Sequence, residues 1–219
     1  MKFKKLKIIG KRPPRAIEKH SLYFELKDAC DSRRCPICLL LNQKEQQHIE
    51  SIFYEHVNDS KVREKFREAQ GLCSDHVKLF LKYGDALGLA IFANDLVYHF
   101  IETSNGSFES SICPLCQSNA QTETRLVQAF VDYLALDEFW QAVENSVGLC
   151  QWHLRLIGQL SPDKELKLKL LNFQKEKLAE HQALLESFIE KNNFTVPHED
   201  TTDAEAQSYQ LVWKLLRIG

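Results

Sequence analysis

Residues 35–38 read Cys-Pro-Ile-Cys and residues 71–76 read Gly-Leu-Cys-Ser-Asp-His; the same pair returns as Cys-Pro-Leu-Cys at 113–116 and Gly-Leu-Cys-Gln-Trp-His at 148–153. Cys35 to Cys113 is 78 positions and Cys73 to Cys150 is 77, so the period is nearly constant across both halves of the motif. Apolar positions between the halves repeat as well. Phe53, Val57, Val62 and Phe66 fall on Phe130, Leu134, Phe139 and Val143 at an offset of 77. Metal-ligand residues and core residues recurring together mark a duplicated folding unit.

Around these motifs the chain reads as helical. Residues 39–57 and 117–135 follow the Cys-Pro-x-Cys turns with helix formers and no internal Gly or Pro. Asn58-Asp59-Ser60 breaks the first of these and caps a short helix over 61–69, and Asp137 has the same part before 138–145. Each Gly-Leu-Cys-x-x-His opens a further helix. The one after His76 is expected to run to about residue 102, with Gly84 and Gly88 one turn apart at a close helix–helix contact. Residues 104–111 form a polar linker. A long helix over 163–191 starts with Pro162 in its first turn. Its heptad-spaced Leu171, Leu178 and Leu185 are interrupted by Gln174 and His181, which suits an amphipathic cover or a dimer face better than a coiled coil. A last helix spans 203–217. No strand pattern of convincing length occurs.

The expected architecture is therefore all-α, with two pseudo-repeated helical zinc-binding units, a long helix and a C-terminal helix. The segments are a basic arm (1–20), a first unit (21–103), a second unit with the long helix (104–191), and a C-terminal loop and helix (192–219). The two units are expected to pack as one domain.

The motif spacing suits a tetrahedral metal. Structural zinc takes four ligands, usually Cys thiolates with one or two His. Cys-Pro-x-Cys supplies two sulfurs from one turn, because Pro presets φ. In Cys-x-x-His at a helix start, positions i and i+3 share a face. The preceding Gly allows a sharp backbone turn, and the helix N-terminus favours thiolate. A helix over 39–57 rises about 28 Å and a helix over 61–69 returns about 13 Å. Four extended residues add roughly 13 Å more. Ligation within each repeat is thus expected, by Cys35, Cys38, Cys73 and His76 and by Cys113, Cys116, Cys150 and His153. A swapped arrangement, with the Cys-Pro-x-Cys of one unit meeting the Cys-x-x-His of the other, stays open.

Other readings compete. The Cys-Pro-x-Cys turn is also that of thiol redox proteins, but there it follows a strand of a βαβ unit. Cys30, Cys35 and Cys38 match the first three ligands of a plant-type iron–sulfur spacing, and a cluster on three Cys and one His is the alternative cofactor. Cys30 has no counterpart in the second repeat and is expected in packing. With seven cysteines and no secretion signal, metal is favoured over a disulfide framework. No GxSxG, P-loop, GxGxxG or HExxH occurs.

Charge is uneven along the chain. Residues 1–19 hold eight Lys/Arg and one acid, against twenty basic and twenty-nine acidic residues in the remainder. The arm is a candidate contact for nucleic acid, whereas the body lacks a basic stripe. No apolar run is long enough to cross a bilayer, so no membrane partner is expected and the default location is cytoplasmic.

The order Cys-Pro-x-Cys, helical pair, Gly-Leu-Cys-x-x-His, Gly-x-x-Leu-Gly-Leu-Ala helix, then a second copy of the motifs, is similar to the domain of unknown function 6062 family of prokaryotic proteins. The resemblance covers about residues 21–190 and implies a helical, cysteine-rich metal binder with the eight ligands named above. It implies no activity, and residues 1–19 are additional to the pattern. A site closed by four protein ligands holds helices together and leaves no position at which to activate water. The expectation is two zinc ions per chain in a non-enzymatic scaffold or interaction protein, acting with a protein partner or as a homo-oligomer. A thiol redox or metal-responsive protein is the alternative.

Overall fold

A computed structural model describes residues 18–103, 112–193 and 200–218. Residues 1–17 of the basic arm, the 104–111 linker and most of the 192–202 loop lie outside the described residues. Among those described there are ten helices and no strand.

The first repeat contributes α2 (Pro36–Glu55), α3 (Ser60–Glu68), α4 (Ser74–Tyr83) and α5 (Ala86–Thr103). The second contributes α6 (Pro114–Tyr133), α7 (Asp137–Asn145), α8 (Gln151–Leu160) and α9 (Lys164–Lys191). α1 (Ser21–Cys30) precedes them and α10 (Asp203–Leu215) follows. Pro36 and Pro114 sit in the first turns of α2 and α6, where a missing N–H costs nothing. The Asp59 side chain accepts from the N–H groups of Lys61 and Val62 and caps α3 as expected. Asp137 lies inside α7; Leu136 holds the cap position, with no side-chain cap bond.

The expected single helix from residue 77 to 102 is two helices. Gly84 leaves α4 in extended geometry (φ −79°, ψ 148°), and Asp85 restarts the chain by accepting from the Gly88 N–H at 2.8 Å. The corner is tight because Phe53 of α2 fills it. A Cβ at Gly88 would lie 2.7 Å from the Phe53 ring, and one at Gly84 would collide with the same ring. That is the close helix–helix contact suggested by the Gly84/Gly88 spacing.

α1 is an element that the sequence reading does not distinguish. It buries Tyr23, Leu26, Ala29 and Cys30 and packs on α2, α6 and α7. Cys30 is sealed there, with its thiol donating to the Leu26 carbonyl, and burial pushes its pKa up to about 12.

Two apolar cores result, and the repeats exchange parts between them. The larger core joins α1 and the second unit to Cys35, Ile37 and Cys38 from the first. The smaller joins Ile49, Ile52, Phe66, Phe80 and Phe92 of the first unit to Cys113, Leu115 and Cys116 from the second. Each Cys-Pro-x-Cys turn thus buries its middle apolar residue, Ile37 or Leu115, in the core of the other repeat.

α9 faces inward through Leu170, Phe173, Gln174 and His181, and Leu171 points to solvent. The polar pair that interrupts the heptads has a structural task. Gln174 accepts from the Leu149 N–H at 2.8 Å and His181 donates to the Val147 carbonyl at 2.9 Å, so α9 fixes the loop before Cys150.

Candidate metal centres

Gly71 and Gly148 both take positive φ, at 121° and 94°, a region in which a side chain would be strained. From this turn Cys73 and Cys150 become the N-cap residues of α4 and α8. His76 and His153 follow three positions later on the same face. Cys35 and Cys113 take the equivalent places at the starts of α2 and α6.

All eight candidate residues fall into two clusters, each joining the two repeats. Cys35, Cys38, Cys150 and His153 form one; Cys73, His76, Cys113 and Cys116 form the other. The within-repeat sets, Cys35, Cys38, Cys73 and His76 and Cys113, Cys116, Cys150 and His153, are not formed. The reason lies in the return path. α3 is only nine residues long, and the chain then turns through Gln70 and Gly71, both at positive φ, instead of extending. Nine helical residues recover about 14 Å of the 30 Å that a 20-residue α2 rises. The Cys-x-x-His therefore lands partway along its own α2, beside Glu45, and there it meets the start of α6.

In the first cluster His153 Nδ1 lies 3.4 Å from Cys35 Sγ, 3.3 Å from Cys38 Sγ and 3.2 Å from Cys150 Sγ, and Cys38 and Cys150 Sγ are 3.6 Å apart. In the second, His76 Nδ1 lies 3.0 Å from Cys73 Sγ, 3.6 Å from Cys113 Sγ and 3.3 Å from Cys116 Sγ, with Cys73 and Cys116 Sγ 3.6 Å apart. Zn–S bonds of about 2.3 Å and Zn–N bonds of about 2.0–2.1 Å in a tetrahedron give S···S edges of about 3.8 Å and S···N edges of about 3.5 Å. The observed edges are close to these. A disulfide would need sulfurs about 2.05 Å apart, and every cysteine is free. The clusters can hold metal ions.

A second layer of residues was missed in the sequence. His76 Nε2 is 2.8 Å from Glu45 Oε1, and His153 Nε2 is 3.0 Å from Glu123 Oε1. Each carboxylate is placed to accept the Nε2–H of the ring, which turns Nδ1 toward the sulfurs. The two glutamates are themselves 78 positions apart, as are Cys35 and Cys113. Extending the repeat from cysteines to acids would have found them. Their outer partners differ: Asn119 of α6 donates to Glu45, whereas Trp152 Nε1 donates to Glu123 at 2.9 Å.

Electrostatics point the same way. Two helix N-termini converge on each cluster, α2 with α8 and α4 with α6, and their partial positive charge favours thiolates. The Cys150 thiol is pulled strongly down by hydrogen bonds from Cys35 and Cys38 and by His153. Cys35 is pushed up by burial and by its bonds to Cys150 and Cys38. For His153 burial favours the neutral ring, but hydrogen bonds to Cys150 and Cys38 outweigh it and raise the pKa to about 10. In the second cluster burial opposes ionisation of Cys73, yet the His76 backbone and ring bring it down to about 7; burial and Cys73 push Cys116 up to about 12. Each cluster thus has one cysteine pulled toward the thiolate, Cys150 or Cys73, the form that a divalent cation binds.

Residues 19–111 match the model of the family of unknown function DUF6062. That segment ends before Cys113, so it covers less of the chain than the 21–190 suggested by the motifs. An uncharacterized 23.9 kDa protein in the xynA 3' region of Caldicellulosiruptor sp. (strain Rt8B.4) is 25% identical over 187 residues, covering 81% of this chain and 92% of that protein. No solved structure matches. Over residues 19–111, the stretch with the first Cys-Pro-x-Cys, the first Gly-Leu-Cys-x-x-His and Glu45, the chain carries the pattern of the DUF6062 family, whose function is unknown.

Proposed function

We propose that each cluster binds one structural zinc ion and that the two ions clasp the repeats together, making the protein a scaffold for interaction and not an enzyme. The carrying observation is the pair of three-sulfur, one-nitrogen sets with edges near those of a zinc tetrahedron. All ligand atoms of each set lie within 4.8 Å of one another. Such spacing suits one ion better than a polynuclear iron–sulfur cluster, whose bridging sulfides spread the cysteines apart. The four protein donors complete a tetrahedron, and carboxylate-bound histidines belong with a closed site as readily as with an open one.

The test is metal analysis of protein purified under reducing conditions. Two zinc ions per chain are expected, and fewer than one would sink the proposal. Thiol counting separates this reading from a redox role through Cys35/Cys38 or Cys113/Cys116. The zinc-loaded chain should show no fast-reacting thiol, because the six cluster sulfurs are ligated and Cys30 is buried.

A further inference from the structure

α5 is apolar on both sides. Its inner face, with Phe92 and Leu96, packs in the smaller core. Its outer face carries large apolar side chains around a single amide, Asn94: Leu87 and Ile101 are 70% exposed, Tyr98 66%, Phe100 64% and Val97 57%. Its only charged residues are Asp95 and Glu102, and Asp95 is engaged by Arg63 and Arg67 of α3 at 2.5 and 3.0 Å. A helix that is hydrophobic nearly all round is normally covered. The internal repeat supplies a comparison. α9, the counterpart in the second repeat, carries Lys and Glu outward and is packed by α10. Among the described residues no helix covers the outer face of α5.

We propose that the outer face of α5 is a homodimer seam in which the α5 helices of two copies pack in parallel about a twofold axis. Leu87, Ala90, Asn94, Val97 and Ile101 are spaced 3-4-3-4, the a/d pattern of a coiled-coil seam. All five are exposed, so their own fold does not use this seam. In a parallel pair each residue of this row faces its own copy, so Asn94 faces Asn94. Ala90 also borders an apolar groove of about 360 Å³ between α4 and α5, walled by Val77, Leu81, Leu89 and Ala93.

Asn94 favours a second copy over other occupants of an apolar face. A side-chain amide holds both donors and an acceptor, so two of them related by the twofold can bond each other reciprocally. A lone Asn in a seam position costs some stability but fixes register and oligomeric state. Against lipid the same amide would have no partner.

The area is sufficient. The five exposed apolar side chains of α5 with Val77 and Leu81 present roughly 800 Å², about what each partner gives to a standard protein–protein interface. No charged residue stands in the a/d row, so self-pairing brings no like charges together there.

Sedimentation of the zinc-loaded full chain between about 1 and 100 µM tests this directly. A monomer–dimer equilibrium is expected in that range. Asn94→Lys, which sets two like charges against each other at the axis, and Val97→Glu, which buries a charge in the seam, should each weaken dimerisation at least about tenfold. Leu168→Glu, at a comparably exposed leucine of α9, should leave it unchanged. Circular dichroism and zinc content check that each variant is folded. A native chain that stays monomeric overturns the proposal whatever the variants do. A dimer indifferent to both seam substitutions overturns it too, as does a monomer that instead binds phosphatidylcholine vesicles through this face.

Discussion

Glu45 and Glu123 each accept the Nε2–H of one histidine and so decide which ring nitrogen faces the sulfurs. Such carboxylates raise the basicity of the ligand and hold its ring in place. Glu45→Gln and Glu123→Gln keep the side-chain shape but remove the charge. Each is expected to weaken metal binding at its own cluster by about 10–100-fold, measured by competition with a chromogenic chelator, while the helix content is unchanged. Equal affinity in variant and native protein would reduce these residues to surface acids. The cysteines and histidines were legible in the sequence because Cys is rare and the motifs repeat. The glutamates were not, because acids on exposed helical faces are common and only the fold places these two against a ring nitrogen. Cys30 was readable as a packing residue by its lack of a counterpart, and burial in α1 accounts for it.

Most helices could be read from their apolar period and caps; where the reading failed, a tertiary contact or a local cap decided the geometry. Gly84-Asp85 ends one helix and starts the next because Phe53 occupies the corner and Asp85 caps α5. α10 shows how an element is held by polar groups at its start. Thr202 and Glu205 form a capping box, and the Glu205 carboxylate also accepts from Ser187 at 2.6 Å and Lys191 at 3.0 Å on α9. Ser187, the Thr202 backbone and Lys191 depress the Glu205 pKa to about 2, below the ordinary 4.5. The ionised carboxylate therefore stabilises the docked helix fully above pH 4.5, and that contribution disappears as the pH falls from 4.5 through 2. Amide hydrogen exchange should show α10 losing protection over this window. Glu205→Gln should show the weakened docking already at neutral pH, with little further change on acidification down to pH 2.

In the molecule as a whole, the duplication could be read from the sequence but the crossing of ligands between repeats could not. Path lengths along a chain bound how far two motifs can separate; they do not fix the direction in which a short α3 and a left-handed turn return. The crossing carries a mechanical consequence. Each cluster takes two cysteines from the start of α2 or α6 and a Cys-His pair from the other repeat, so an ion held by either cluster would tie both units. Cys38→Ser removes a ligand of only one cluster, the one with Cys35, Cys150 and His153. Were ligation confined within repeats, its damage would stay in α2–α4, next to Cys73 and His76. With crossed ligation it should loosen the N-terminal turn of α2 together with that of α8, where His153 stands 115 positions along the chain from Cys38. The Cys73–Cys116 cluster should keep its ion. Hydrogen exchange on the variant, with a zinc count near one per chain, reads both consequences at once. Lost protection in α4 with α8 intact would contradict the crossed clasp, because the cluster that α4 helps to build does not contain Cys38. Structural zinc contributes on the order of 10 kcal/mol to the folding of small units, so removing both ions with a chelator should separate the repeats as well as unfold their helix starts. The Cys-Pro-x-Cys turns, with Ile37 and Leu115, would then be withdrawn from each other's cores.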